Sequence, residues 1–491
     1  MQSPELIYPV AAVREVDRAA IEDEGIPGYT LMTRAGEAAV HAARHRFPDE
    51  RRWQIVCGAG NNAGDGYVVA RLAADSGIGV AVTAMVDPDK LKGDAATAYK
   101  DFVASGGVAA AWQGGFDDQV GLIVDAMLGS GLERPVDGAF ADAVAAINAH
   151  PAAVMALDIP TGLHGDSGAV LGSAVVADLT ITFVGLKAGL FLGHGLAHIG
   201  GLEFAGLDIP GNCYQPSSAV MRRIAAERFE HCLPKRARDA HKGDFGHVLV
   251  VGGGAGMPGA VRLCGEAALR SGAGRVSIAT DPGHAALIVA TRPELMSHGI
   301  ADASDLEPLL EQVDIVAFGP GLGQSDWARA LYHSVLAANL PSVWDADALN
   351  LLADAGGSDD RRIITPHPGE AGNLLGVSTA DVQADRLNAL SALQEKYGGT
   401  IVLKGAGTLV SSASGPPAIC TSGNPGMAAP GMGDALTGII AGLLAQGLTQ
   451  EDAATVGVEA HARAGDRAAL YGERGLLVSE LMAELRGVLN P

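Results

Sequence analysis

The chain is poor in cysteine, and none of its cysteines stand at a metal-binding spacing. Cys57, Cys213, Cys232, Cys264 and Cys420 are scattered through 491 residues and never form a CxxC pair. That pattern argues against a zinc site or a disulfide framework and points to a reducing compartment. Basic residues are also short: 34 Lys and Arg stand against 56 Asp and Glu, a formal charge of −22. Nucleic acid is therefore disfavoured as a partner, because phosphate binding needs a basic face. No apolar run reaches the ~20 residues of a membrane span; the most apolar late segment, 435–448, carries Thr437 and Gln446. The opening Met1-Gln2-Ser3-Pro4-Glu5 lacks the basic and apolar regions of a secretory signal. These absences predict a cytoplasmic protein with no membrane and no nucleic acid among its partners.

What is present suits folded α/β domains. Hydrophobic residues make up 48% of the chain, and its 67 glycines show no collagen-like period. At roughly 100–200 residues per domain, more than one core is expected. The first half alternates helical patterns with apolar, β-branched runs at 53–57, 80–86, 122–125, 154–158 and 179–184. Runs that are apolar throughout suit a parallel sheet covered on both faces. After a polar and basic stretch the alternation restarts, with strands expected near 247–251, 275–279, 315–318, 342–345, 363–365 and 400–403. The sequence thus predicts two three-layer α/β/α domains in tandem, 1–228 and 229–491, the first of them Rossmann-like.

In the first half, the strand ending at Cys57 runs into Gly58-Ala59-Gly60-Asn61-Asn62-Ala63-Gly64-Asp65-Gly66 and then a helical pattern. A strand, a glycine-rich turn and a helix start aim backbone N–H groups at a phosphate. Two asparagines and an aspartate exceed that need and supply oxygens for a cation or partners for a substrate. Asp125 and Asp158 end two further strands beside glycine-rich loops. The crevice beyond the carboxyl ends of parallel strands is where ligands bind.

These segments resemble the NAD(P)H-hydrate epimerase family through GAGNNAGDGYVVAR, DAMLGSGLERPVDG, ALDIPTGLHGDSG and TFVGLKAGLFLGHG, across 11–210. The resemblance implies a potassium ion held by Asn62, Asp125 and Thr161, an oxygen-only set suited to a hard monovalent cation. It implies substrate loops at Asn61, Asn62, Ala63, Gly64 and Asp65 and at Gly129, Ser130, Gly131, Leu132, Glu133, Arg134 and Pro135, with Asp158 near the reacting carbon. The implied reaction is inversion at C6 of a hydrated nicotinamide, which needs a general acid/base; Asp158 is the candidate. Phe140 and Thr33 depart from the family's usual tyrosine and glutamate.

In the second half, Gly423-Asn424-Pro425-Gly426-Met427-Ala428-Ala429-Pro430-Gly431-Met432-Gly433-Asp434 precedes a long apolar helix pattern. Gly431 and Gly433 let main-chain N–H groups form an anion hole at a helix N-terminus, where Asp434 can take a proton from an attacking hydroxyl. This half resembles the ribokinase-like fold, and within it the NAD(P)H-hydrate dehydratase family, through HKGDFGHVLVVGGG, GAVRLCGEAALRSGAG, GPGLGQ, WDADALN, TPHPGEAGNLLG, KGAGT and GNPGMAAPGMGDALTG. The resemblance implies that Ala260, Gly321, Gly323, His367 and Asp434 contact the hydrate. It implies that Lys404, Gly405, Ala406, Gly407, Thr408 and Gly433 line ADP or ATP with Mg²⁺. Pro430 departs from the small residue usual there. The ligands so implied are hydrated NADH or NADPH and the nucleotide, and a homo-oligomer is expected.

Three other readings compete. The GxGD element also fits a kinase for a vitamin-precursor alcohol, and the first half could be a non-catalytic ligand- or RNA-binding module. An NAD-dependent dehydrogenase would need an acidic residue about 20 positions beyond the glycine loop, and none is obvious.

Overall fold

The computed structural model describes residues 5–225 and 227–490. The chain divides into two compact units, Met1–Met221 and Arg222–Pro491. The division falls ahead of residue 228 because the segment from Arg222 onward is already tied to the second unit. Arg222 and Arg223 lie in register with Ala418 and Ile419, and Arg222 and Arg228 pair with Glu451 and Asp452 at 2.7 and 2.6 Å.

The first unit is built on a parallel sheet ordered Ala109–Ala111, Gly79–Ala84, Arg52–Cys57, Leu122–Ala126, Ala153–Leu157, Leu179–Phe183, Gly201–Ala205. Alternate side chains feed two cores, as the pleat requires. Ile55, Val124 and Leu157 join Ala39, Val69 and Ala98 from the helices on one face, while Val56, Ile123 and Ala156 join Val144 and Ile147 on the other. The chain travels outward from Arg52–Cys57 in one direction, returns to Leu122–Ala126 beside it, and continues the other way. The crevice at such a reversal is the natural ligand position.

The second unit repeats the device. Its parallel strands run Met296–Gly299, Arg275–Thr280, His247–Val251, Ile315–Phe318, Ser342–Trp344, Arg362–Ile364, Thr400–Leu403, then antiparallel Leu409–Val410 and Ala418–Ile419. The reversal lies between His247–Val251 and Ile315–Phe318. The apolar helix Met432–Ala445 packs between Pro258–Ser271 and Gln450–Ala468, and its Gly438 lies against the Cys264 carbonyl. Cys57, Cys213, Cys264 and Cys420 are buried and Cys232 half-buried, all as free thiols. Among the described residues no helix is long and apolar enough to cross a membrane.

Candidate active sites

At the first reversal lies a cavity of about 690 Å³ lined by Arg14, Asp17, Asn61, Asn62, Asp65, the loop Met127–Arg134, Asp158 and Lys187. Gly58 permits its tight neck, since a Cβ there would collide with the Met127 carbonyl. The helix Asn61–Asp75 starts at the wall and aims its first N–H groups inward. Gly129 fits between Asn62 and Asp158; a Cβ on it would lie 3.4 Å from both.

Asp158 takes a left-handed backbone, φ 68°, and is held by its side chain. One oxygen is ion-paired with Lys187, and the other accepts from the Ser130 N–H at 3.2 Å. Lys187 is 2% exposed and spends its remaining hydrogens on the Thr182 hydroxyl (3.1 Å) and the Phe183 carbonyl (2.7 Å). Burial alone would raise the Asp158 carboxyl, but Lys187 and the Ser130 hydrogen bonds outweigh it and hold the carboxyl below its usual range. Asp158 is thus an anion with both oxygens engaged. Asp65 is pushed well above the carboxylate range by burial and by Asp158 and Asp17.

Asn62, Asp125 and Thr161 are buried beside this cavity. Asp125 accepts from the Thr161 hydroxyl at 2.7 Å, the Thr161 N–H at 2.8 Å and the Met127 N–H at 3.2 Å. Burial, partly offset by these bonds, raises its carboxyl to about 6. Both polar atoms of the Asn62 amide are buried without a hydrogen-bond partner, an arrangement that costs free energy unless a ligand satisfies it. Thr33 turns its hydroxyl to the Tyr29 carbonyl of its own helix at 2.8 Å, and Phe140 packs against an apolar cluster.

In the second unit, Gly431 caps the helix Met432–Ala445 with φ 89° and Asp434 stands in the first turn. Beneath it, Asp345 receives Lys404 Nζ at 2.6 Å and the Thr437 hydroxyl at 2.8 Å. A Cβ on Gly433 would lie 3.4 Å from both Asp345 and Lys404, so glycine lets the helix start reach down to the pair. Lys404 also stands 3.8 Å from Glu370. Burial would raise Asp345, but Lys404 holds it below its usual range. Among the described residues Asp434 has no such partner: burial, then Asp345, push its carboxyl up to about 7 against the pull of Lys404.

The remaining expected residues fall around this centre. Ala260, in the first turn of Pro258–Ser271, faces Gly321, and the Gly323 N–H donates to Asp347 at 2.8 Å. His367 caps Pro368–Leu375, its Nδ1 accepting from the Gly369 and Glu370 N–H groups at 3.0 and 3.2 Å; its proton therefore sits on Nε2. Gly405 and Ala406 are exposed, Gly407 is buried and Thr408 is half-buried. Buried Arg386 shapes that loop by donating to the carbonyls of Leu403, Lys404 and Gly407 at 3.1, 3.4 and 3.1 Å. Glu133, Arg134 and Pro135 are exposed. Sequence reasoning passed over Arg14, Asp17, Lys187, Thr437 and Arg386. Asp345 had a signal as the aspartate ending a strand inside WDADALN, and Lys187 and Thr437 lay inside TFVGLKAGLFLGHG and GNPGMAAPGMGDALTG.

A family model described as NAD(P)H-hydrate dehydratase matches residues 248–486, and one described as YjeF-related protein N-terminus matches 28–189. The chain is 47% identical to the bifunctional NAD(P)H-hydrate repair enzyme Nnr of Coxiella burnetii over 99% of its own length and 100% of the relative's. It is 42% identical to the enzyme of the same name from Escherichia coli, over 99% and 95%. A solved ribokinase-like superfamily protein from Enterococcus faecalis is 32% identical, covers 55% of this chain and 95% of its own, and superposes with a TM-score of 0.50. With both units matched and its relatives aligned nearly end to end, the chain belongs to the family of bifunctional NAD(P)H-hydrate repair enzymes.

Proposed function

We propose that the first unit interconverts the R and S forms of hydrated NADH or NADPH and that the second dehydrates the S form with ADP or ATP. The observation that carries the second half is Asp434 at a helix N-terminus, without an ion pair among the described residues, above the Asp345–Lys404 couple. In the reaction, Asp434 takes the proton of the C6 hydroxyl as its oxygen attacks the terminal phosphorus. The N–H groups at the start of Met432–Ala445 and the charge of Lys404 favour the negative charge that develops there. Phosphorylation turns a poor leaving group into a good one; electrons from the ring nitrogen then expel phosphate and restore the dihydronicotinamide. Mg²⁺ arriving with the nucleotide would offset phosphate charge. A base whose carboxyl is pushed up to about 7 suits proton abstraction near neutrality.

In the first unit, the anionic Asp158 beside Lys187 favours a positively charged nicotinamide ring, as forms when the C6 hydroxyl departs. Asn62, Asp125 and Thr161 would hold potassium, whose charge would keep Asp125 ionised and satisfy the Asn62 carbonyl. The loop Gly129–Gly131 and the start of Asn61–Asp75 offer N–H groups to a diphosphate.

The test is repair itself. Full-length protein given freshly made hydrate recovers the near-ultraviolet absorbance of the dihydronicotinamide only with ADP or ATP, and releases inorganic phosphate. No recovery with either nucleotide rejects the dehydratase; an accumulating phosphorylated alcohol would indicate a kinase instead. Replacing potassium by sodium should weaken hydrate binding and epimerisation and leave dehydration intact, and indifference to the cation rejects the assigned set.

A further inference from the structure

We infer that Asp17, on the helix Val10–Glu22, is the proton-exchanging group of the first unit's cavity, giving a proton to the hydroxyl that leaves C6 and taking it back from the water that returns. The inference rests on the epimerase reading of this cavity and names a residue that lies ahead of the matched segment 28–189.

The helix is a fixed wall of the site. Val10, Val13, Val16 and Ala20 bury one face. Its first N–H donates to Asp166 at 2.7 Å, and Arg14 reaches over Gly131. Asp17 projects from this wall into the cavity that also holds Asp65, Asp158 and Lys187. Among the described residues it makes no hydrogen bond and no ion pair.

Elimination points the same way. Asp158 has both oxygens engaged, and Lys187 has committed its three hydrogens to Asp158, Thr182 and Phe183. The Glu133 side chain is 78% exposed and turned to His164 at 3.6 Å, and a Cβ on Gly28 would collide with Asp94. Asp65 is pushed well above the carboxylate range by burial and by the two other carboxyls, so it gives up a proton reluctantly. Asp17 can hold either state. Burial pushes its carboxyl up to about 6, Lys187 pulls it down and Asp158 pushes it up. The other titratable groups around it are Arg14 on its own helix, Asp65 across the cavity, and Tyr8, Cys213 and Tyr214 on segments packed beside the helix.

The step balances. The lone pair of N1 forms an N1=C6 double bond as the C6–O bond breaks, and the oxygen leaves as water with the proton of Asp17. Water then adds to the other face of C6, the π electrons return to N1, and the surplus proton returns to the Asp17 carboxylate. Asp158 remains an anion throughout and favours the cationic ring.

The experiment follows R–S interconversion in the full-length protein by chromatography, without nucleotide. Asp17→Asn should lower kcat for epimerisation by about 100-fold or more, with KM within about threefold, and should erase the pH dependence near 6. Asp17→Glu should restore at least about a tenth of the rate and the pH dependence. A near-wild-type hydrate KM and recovery in Asp17→Glu report that the first unit is folded, and nucleotide-driven dehydration of the S form reports on the second. A wild-type kcat in Asp17→Asn, a raised KM with kcat intact, or a Glu variant as slow as the Asn variant overturns the assignment. Wild-type protein that fails to interconvert the hydrates defeats the epimerase reading and the inference with it.

Discussion

The two units solve one electrostatic problem with the same parts and leave different results. Each places an aspartate at a strand end, Asp158 or Asp345, and neutralises it with a lysine, Lys187 or Lys404. Each then leaves another carboxyl without a cation of its own, Asp17 pushed up to about 6 and Asp434 up to about 7. The lysine decides which carboxyl keeps its charge, and the second becomes available for proton traffic. The difference lies in what surrounds the pair. Asp345 sits below a helix N-terminus and also receives Thr437, an environment built for phosphoryl charge. Asp158 opens to a cavity roomy enough for a ring.

The strongest way to break the comparison is Asp434→Asn. Dehydration should fall by about 10²–10⁴-fold with epimerisation untouched, read by phosphate release and chromatography on the same sample. In the wild type, dehydration should decline as pH drops below about 7, whereas epimerisation, which starts from protonated Asp17, should decline as pH rises above about 6, so the two profiles slope in opposite directions. Stability moves in the opposite sense. A carboxyl whose folded pKa lies above its unfolded value of about 3.9 opposes folding increasingly as pH rises from about 4 to 7. Asp434→Asn should therefore melt higher than wild type at pH 8, a gap that closes near pH 4.

Next in size, Lys187→Met and Lys404→Met each strand a buried carboxylate and should cost about 3–5 kcal/mol in denaturant unfolding. If both losses are negligible, the shared ion-pair logic is wrong. The smallest effect is expected of Arg386→Lys, which keeps the charge but not the fork that gathers three loop carbonyls. KM for nucleotide should rise several-fold with hydrate KM unchanged, and the first unit offers no counterpart.

Much of this was legible in the chain. The parallel strands and glycine turns announce themselves because a fully buried strand must be apolar and a strand end near a ligand must be small; 247–251, 315–318 and 400–403 hold as read. The short edge strands escaped. Ala109–Ala111 has no β-branched residue, and Gly201–Ala205 is buried on neither side. Lys187 escaped because lysine in an apolar run gives no sign that it will be buried; its role depends on Asp158, which only the folded sheet brings near. Asp17 reads as an ordinary polar position on an amphipathic helix and Thr437 as a lone hydroxyl in an apolar one, and nothing local tells what either will face.

The left-handed backbone at Asp158 carries a last lesson. A non-glycine residue in that conformation is disfavoured by about 1 kcal/mol or more, yet glycine there would leave the buried Lys187 ammonium without its carboxylate. The ion pair with Lys187 and the hydrogen bond from Ser130 hold a conformation that the backbone alone resists. Relaxing the main chain at this point would therefore lose more stability than it recovers, because a stranded buried charge outweighs about 1 kcal/mol of strain.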